Sequence, residues 1–168
     1  RTGAAAAANS PACPADAAEA APPPCPGPFP GAPAPKTWRI LLVEDEESIR
    51  GPSSDALREL GYEVEVAVDG GEALGILGAS DAPAFDLLLT DVGLPGGING
   101  RQLAEAARER TPHIPVLLIT GYGGDAIVGR ARLEPGMEIL AKPFDLGVLA
   151  TRVRRILDRE SAVVGSRT

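Results

Sequence analysis

Residues 87–97 read Leu87-Leu88-Leu89-Thr90-Asp91-Val92-Gly93-Leu94-Pro95-Gly96-Gly97, and this stretch decides the fold. Three leucines run without a polar break. The chain then reaches an aspartate and turns through Gly, Pro and Gly-Gly. A short apolar run bounded by turn residues predicts a strand buried on both faces, as in a parallel sheet. Asp91 then stands at the carboxyl end of that strand, the edge of an open α/β sheet at which ligands bind.

The same logic extends along the chain. Arg39-Ile40-Leu41-Leu42-Val43 predicts a second buried strand, with order beginning near Trp38 and an abrupt stop at Glu44-Asp45-Glu46-Glu47. A helix follows to about Leu60, with Ile49, Ala56, Leu57 and Leu60 on one face and Gly61 as its C-terminal cap. Proline inside a helix costs about 3 kcal/mol, so Pro52 predicts either a helix that starts there or distorted first turns. Glu63 to Val68 alternates, which predicts a half-wet edge strand. Asp69-Gly70 reads as a turn into a short helix through Leu77, and Gly78 to Ala84 as a loop. Asn99 caps a helix to about Arg110, with Leu103, Ala106 and Ala107 inward. Pro115 to Ile119 is a buried strand ending at Thr120-Gly121. Tyr122 to Leu133 is a loop and a weak helix. Met137 to Ala141 is the last strand, and Lys142-Pro143-Phe144 follows it. Asp145 caps a final helix to about Arg159 with Leu146, Val148, Leu149, Val153, Ile156 and Leu157 apolar. Five strands alternating with five helices make an α/β, flavodoxin-like, doubly wound fold: a parallel sheet in the order 2-1-3-4-5 with helices on both faces.

Composition bounds the rest. The chain has 168 residues, 44% hydrophobic and 23% charged, with a net charge of −7. That acidity argues against nucleic acid as a direct partner, which would need clustered Lys and Arg. No apolar run approaches the roughly 18–20 residues that span a bilayer, and the alanines at 4–8 are too short and weakly apolar for a signal peptide. The expected location is cytoplasmic. Cys13 and Cys25 are the only cysteines; with no second pair for zinc and no framework in the folded part, they read as bystander thiols. Residues 1–37 read as a Pro/Ala-rich disordered linker or tail, 38–160 as the folded domain and 161–168 as a frayed tail. The first residue is arginine rather than methionine, which points to a piece of a longer chain.

The topology brings Glu44, Asp45 and Asp91 to one rim, with Thr120 and Lys142 beside them. Two like charges 4 Å apart repel by about 4 kcal/mol at an effective dielectric of 20. A hard divalent cation with oxygen ligands would hold the carboxylates ionised together, and Mg²⁺ commonly takes one or two carboxylates, waters and a phosphate. Lys142 supplies a fixed positive charge and Thr120 a hydroxyl. An aspartate can also carry a phosphoryl group itself.

Glu44-Asp45, Thr90-Asp91-x-x-Leu94-Pro95-Gly96, Ile119-Thr120-Gly121 and Lys142-Pro143-Phe144 together resemble the receiver domain of two-component response regulators (CheY-like), over about Trp38 to Arg159. The stretch from Gly121-Tyr122 through Pro135-Gly136-Met137 to Leu140 is most similar to the C-terminal receivers of hybrid sensor histidine kinases. The resemblance implies phosphorelay signalling, as the C-terminal receiver of a hybrid sensor kinase or as a stand-alone regulator. Asp91 would be the phosphoacceptor, taking its phosphoryl group from the phosphohistidine of a sensor kinase or a phosphotransfer domain. Asp45, Asp91 and the Gly93 backbone carbonyl would ligate Mg²⁺, with Glu44 acting through water. Thr120 and Lys142 would contact the phosphoryl group. No kinase catalytic core is present in the sequence, and self-dephosphorylation is the activity implied. The family usually carries Tyr or Phe three residues before the lysine, whereas this chain has Ile139, which leaves a switch, a phosphate sink and a relay open.

Other readings compete. A pseudo-receiver would bind partners without phosphorylation. A Mg²⁺-dependent aspartyl-phosphate phosphatase would usually carry a second aspartate two residues after the nucleophile, where this chain has Gly93. Glu46 and Glu47 read as first-turn helix charges, and His113, between prolines, as structural.

Overall fold

The computed structural model describes residues 37–79, 84–121 and 133–165. Nine elements lie among them: β1 (Arg39–Val43), α1 (Glu47–Glu59), β2 (Glu63–Ala67), α2 (Gly70–Gly78), β3 (Leu87–Asp91), α3 (Gly100–Arg110), β4 (Val116–Thr120), β5 (Met137–Ala141) and a last helix, α4 (Leu146–Gly165). The expected weak helix between Tyr122 and Leu133, like most of the loop before Ala84, lies outside the described residues.

The five strands form one parallel sheet in the order β2-β1-β3-β4-β5. Every residue of β3 and β4 is buried, which is why both appear in the sequence as unbroken apolar runs. Alternation along the strands divides their side chains between two cores. Leu41, Val43, Leu88, Val116 and Leu118 pack with Leu103, Ala104 and Ala107 of α3 and Ala73 of α2. Ile40, Leu42, Leu87, Leu89, Leu117 and Ile119 pack with Leu57 of α1 and Leu149, Val153, Ile156 and Leu157 of α4. Each fully buried Leu or Ile contributes about 1.5–3 kcal/mol of transfer free energy, so the central strands are the most strongly fixed part of the molecule and their carboxyl ends the best-placed positions on the rim.

Local chemistry sets the helix ends. Asn99 accepts from the Gln102 amide at 2.9 Å while the Gln102 side chain accepts from the Asn99 amide at 3.1 Å, a reciprocal cap. Asp145 Oδ1 accepts from the Gly147 amide. Gly61, at φ +90°, ends α1, with its amide bonded to the Arg58 carbonyl and the Tyr62 amide to the Leu57 carbonyl.

Four expectations change. Of the two readings of Pro52 the late start falls: α1 starts at Glu47, five residues ahead of Pro52, and runs through the proline, whose missing amide leaves the Ser48 carbonyl without its helical donor. Its inner face is Ser53, Ser54 and Leu57, while Leu60 is 55% exposed. On α3, Ala104 rather than Ala106 is buried with Leu103 and Ala107. The last helix continues to Gly165 instead of fraying from Ser161, and its Leu146 and Val148 are exposed.

Candidate functional site

The carboxyl ends of β1 and β3, adjacent in the sheet, deliver the acidic residues. Val43 pairs with Thr90, so Glu44 and Asp91 leave neighbouring strands side by side. Glu44 is fully buried and Asp91 is 8% exposed, whereas Asp45 faces solvent. Carboxylate oxygens of Glu44, Asp45 and Asp91 lie within 4.8 Å of one another.

Lys142 closes the group from β5. Its amide donates to the Thr120 carbonyl at 2.7 Å, which fixes the start of the loop after β5 against the end of β4. Its Nζ donates to Asp91 Oδ2 at 2.5 Å and to Glu44 Oε1 at 3.0 Å. The other Asp91 oxygen, Oδ1, accepts from the Gly93 amide at 2.6 Å. Asp91 is thus held at both oxygens, by a side-chain cation and by the backbone of the turn that follows it.

Burial and charge act in opposite senses here. Loss of hydration pushes the Glu44 carboxyl above its ordinary pKa; the hydrogen bond from Lys142 pulls it back, and the nearby Asp91 charge raises it further. For Lys142, burial disfavours the charged form, but the hydrogen bonds to Asp91 and Glu44 and their negative charges outweigh it, and the ammonium titrates above its ordinary value. Glu44 Oε2 lies 2.9 Å from the ammonium as an ion-pair contact, yet it is buried and has no hydrogen bond. A fully buried carboxylate that shares one ammonium with Asp91, in a cluster of three carboxylates, suits a hard cation or its water ligand.

Thr120 is buried at the end of β4, where its hydroxyl donates to the Gly121 carbonyl at 3.1 Å. It stands one residue past Ile119, the register partner of Asp91. Ile139 is half-buried on β5, pairs with Leu118 and packs against the core under α2 and α3.

Three further residues support the site or its neighbouring elements in ways the sequence does not spell out. Gly100 begins α3 directly behind the aspartate: a Cβ built there would fall 2.0 Å from the Asp91 carbonyl oxygen. Asp69, read as a turn, caps α2 by accepting from the Glu72 amide at 2.8 Å. Arg50 of α1 reaches back to the loop that carries Glu44 and Asp45. The Asn-Gly pair ahead of a helical pattern was a signal for the first; nothing in the spacing distinguished Arg50 from the other surface arginines.

The family model for the response regulator receiver domain matches residues 40–154. Response regulator protein FleR of Pseudomonas aeruginosa is 41% identical over 118 residues, which are 70% of this chain and 24% of that protein. Sensor kinase CckA of Brucella abortus is 34% identical over 121 residues, 72% of this chain and 13% of that protein. The chain therefore spans less than a quarter of the length of either relative. The crystal structure of the receiver domain of hybrid histidine kinase CckA superposes with a TM-score of 0.59 at 41% identity, covering 71% of this chain and 98% of that one.

Proposed function

The chain belongs to the response regulator receiver domain family of two-component signalling, and from that premise we propose that Asp91 is its phosphoacceptor. The observation that carries this reading is the bridge from Lys142 to both Asp91 and Glu44 at the carboxyl edge of the sheet, with Asp45 alongside.

In the proposed reaction a carboxylate oxygen of Asp91 attacks the phosphorus of a phosphohistidine. The P–N bond breaks, its electron pair returns to the imidazole, and an acyl phosphate forms. Lys142 follows the charge from the carboxylate to the phosphoryl oxygens, and the Gly93 amide keeps the aspartate oriented. Thr120 offers its hydroxyl to a phosphoryl oxygen. Water later hydrolyses the acyl phosphate and restores the carboxylate.

Receiver domains generally bind Mg²⁺ at an acidic pocket, and the cluster of Glu44, Asp45 and Asp91 fits such an ion. Asp45, Asp91 and the Gly93 carbonyl would hold it, with Glu44 acting through water. The ion would neutralise charge on the transferring phosphoryl group. The chain's partner is a sensor histidine kinase or a phosphotransfer domain, in the cytoplasm; the likeness to the receiver domain of hybrid histidine kinase CckA supports a receiver of a hybrid kinase, placed at its C-terminus, over a stand-alone regulator. Among the described residues, no helix is long and apolar enough to cross a membrane.

The test is incubation with acetyl phosphate or beryllofluoride, with and without Mg²⁺, followed by amide NMR and phosphate labelling. Mg²⁺-dependent shifts at Asp91, Thr120 and Lys142, with acid-stable and base-labile phosphate lost in Asp91→Asn, are expected. An intact fold that gives no response would favour the pseudo-receiver instead.

A further inference from the structure

The loop from Glu44 to Glu46 carries two of the three clustered carboxylates, yet the three side chains are anchored unequally. Glu44 is fully buried and bound by Lys142, and Asp91 is held at both oxygens. Asp45 is exposed, and no side-chain hydrogen bond restrains its carboxylate among the described residues. The backbone sets the direction of its Cα–Cβ bond, from which the carboxylate starts.

Arg50, one turn into α1, grips that backbone. Its Nη1 donates to the Glu44 carbonyl at 2.9 Å and to the Asp45 carbonyl at 3.1 Å, while Nη2 pairs with Glu47. The side chain is only 15% exposed. Two consecutive carbonyls turned to one nitrogen fix the two peptide planes that flank the Asp45 Cα, and with them the direction of the Cα–Cβ bond that carries its carboxylate out of the loop. A planar, always-charged guanidinium can serve both carbonyls and the Glu47 carboxylate at once; a lysine ammonium lacks that fixed fork.

We infer that Arg50 is a positioning residue for Asp45, setting divalent-cation affinity through the backbone of the acidic loop without touching the ion or the phosphoryl group. The inference rests on the reading of Glu44, Asp45 and Asp91 as a cation site. It has a sign that electrostatics alone would reverse. Arg50 is a cation near the acidic cluster, so removing it should tighten Mg²⁺ binding if charge were its only influence. If it works by orientation, removing it should weaken binding, and loss of a residue that orients a metal ligand typically costs 10–100-fold in affinity.

The experiment is a Mg²⁺ titration of the unphosphorylated chain by amide NMR, on wild type, Arg50→Met and Arg50→Lys, with thermal unfolding in EDTA as the check on folding. We expect the Mg²⁺ Kd to rise about tenfold or more in Arg50→Met. Arg50→Lys, which keeps the charge and loses the fork, should stay well above wild type. The Mg²⁺ concentration for half-maximal labelling by acetyl phosphate should move in parallel. An unchanged or tighter Kd in a folded Arg50→Met would overturn the inference. If Arg50→Met fails to fold, Arg50→Lys decides it, since wild-type affinity there would show that charge suffices. Absence of Mg²⁺ binding by wild type itself would count against the cation site, a separate failure.

Discussion

Glu44 and Lys142, 98 residues apart in sequence, share one buried ion pair: the ammonium sits 3.0 Å from Oε1 and 2.9 Å from Oε2 of a carboxylate with no exposed surface. Desolvating a carboxylate is costly unless a partner compensates. Without a metal, Lys142 is that partner for Glu44 and for Asp91.

It follows that Lys142→Ala should destabilise the metal-free protein by about 2–4 kcal/mol, because two carboxylates lose their cation. Part of that loss should return on adding Mg²⁺, which replaces the missing charge. Urea unfolding in EDTA and again in excess Mg²⁺ gives both numbers. Equal stability of variant and wild type in EDTA would refute the compensation argument.

A second expectation concerns the packing behind the aspartate. A Cβ on Gly100 would lie 2.0 Å from the Asp91 carbonyl oxygen and 2.8 Å from its carbon, both backbone atoms that cannot swing away. Gly100→Ala should therefore push α3 off the end of β3 and cost about 2–3 kcal/mol, while shifting the amide resonances of Asp91 and Val92. Gly75 is the control: it lies inside α2, and a Cβ there meets nothing within 4 Å. Gly75→Ala should stabilise by about 0.5–1 kcal/mol. Similar melting temperatures for the two variants would show that the close approach is not a constraint.

The two glycines also mark what could be read in advance. β1, β3 and β4 were legible because strands buried on both faces carry runs of apolar residues, broken here only at their ends, and β5 because Lys142-Pro143 closes it. The meeting of Glu44, Asp45, Asp91 and Lys142 followed from strand order, which also ends β4 at Thr120 beside them. What escaped depends on distances that spacing does not encode. α1 buries Ser53 and Ser54 and exposes Leu60, because its inner face is set by its contact with β2 and α4 and not by hydrophobicity. Pro52 lies within that helix because packing against the sheet outweighs one missing hydrogen bond. Gly100 and Arg50 act on backbone atoms, so spacing does not name their partners, although the Asn99-Gly100 pair ahead of a helical pattern marks Gly100 itself.

A third expectation follows from Glu138 on β5, which accepts from Arg152, Arg155 and Arg159 of α4 at 3.1, 2.9 and 2.8 Å. Burial alone would raise its pKa, but the guanidinium hydrogen bonds and charges lower it on balance. A carboxyl whose folded pKa is depressed contributes stability that is fully present above its unfolded value, near 4.5, and is lost as pH falls through the folded value. The arginines are 39, 50 and 63% exposed, so solvent screening holds the contribution to about 1 kcal/mol. Glu138→Gln should lower stability by that amount at pH 7 and by progressively less below pH about 4. Parallel stability–pH curves for variant and wild type would eliminate the linkage.

The last expectation turns on Ile139. It is half-buried on β5, pairs with Leu118 and packs toward α2 and α3. A β-branched aliphatic side chain held by a packed core has few alternative rotamers. It also has no polar end to follow a hydroxyl that moves at Thr120. Beryllofluoride in Mg²⁺ should accordingly shift amides at Asp91, Thr120, Gly121 and Lys142, while shifts at Glu138 and along α4 stay small. Ile139→Tyr adds a ring with a hydroxyl at the same register position and should carry the shifts into β5 and α4, at a packing cost of about 1–2 kcal/mol. If wild type already shows large changes along α4, the aliphatic residue transmits the signal and the chain is a switch in its own right.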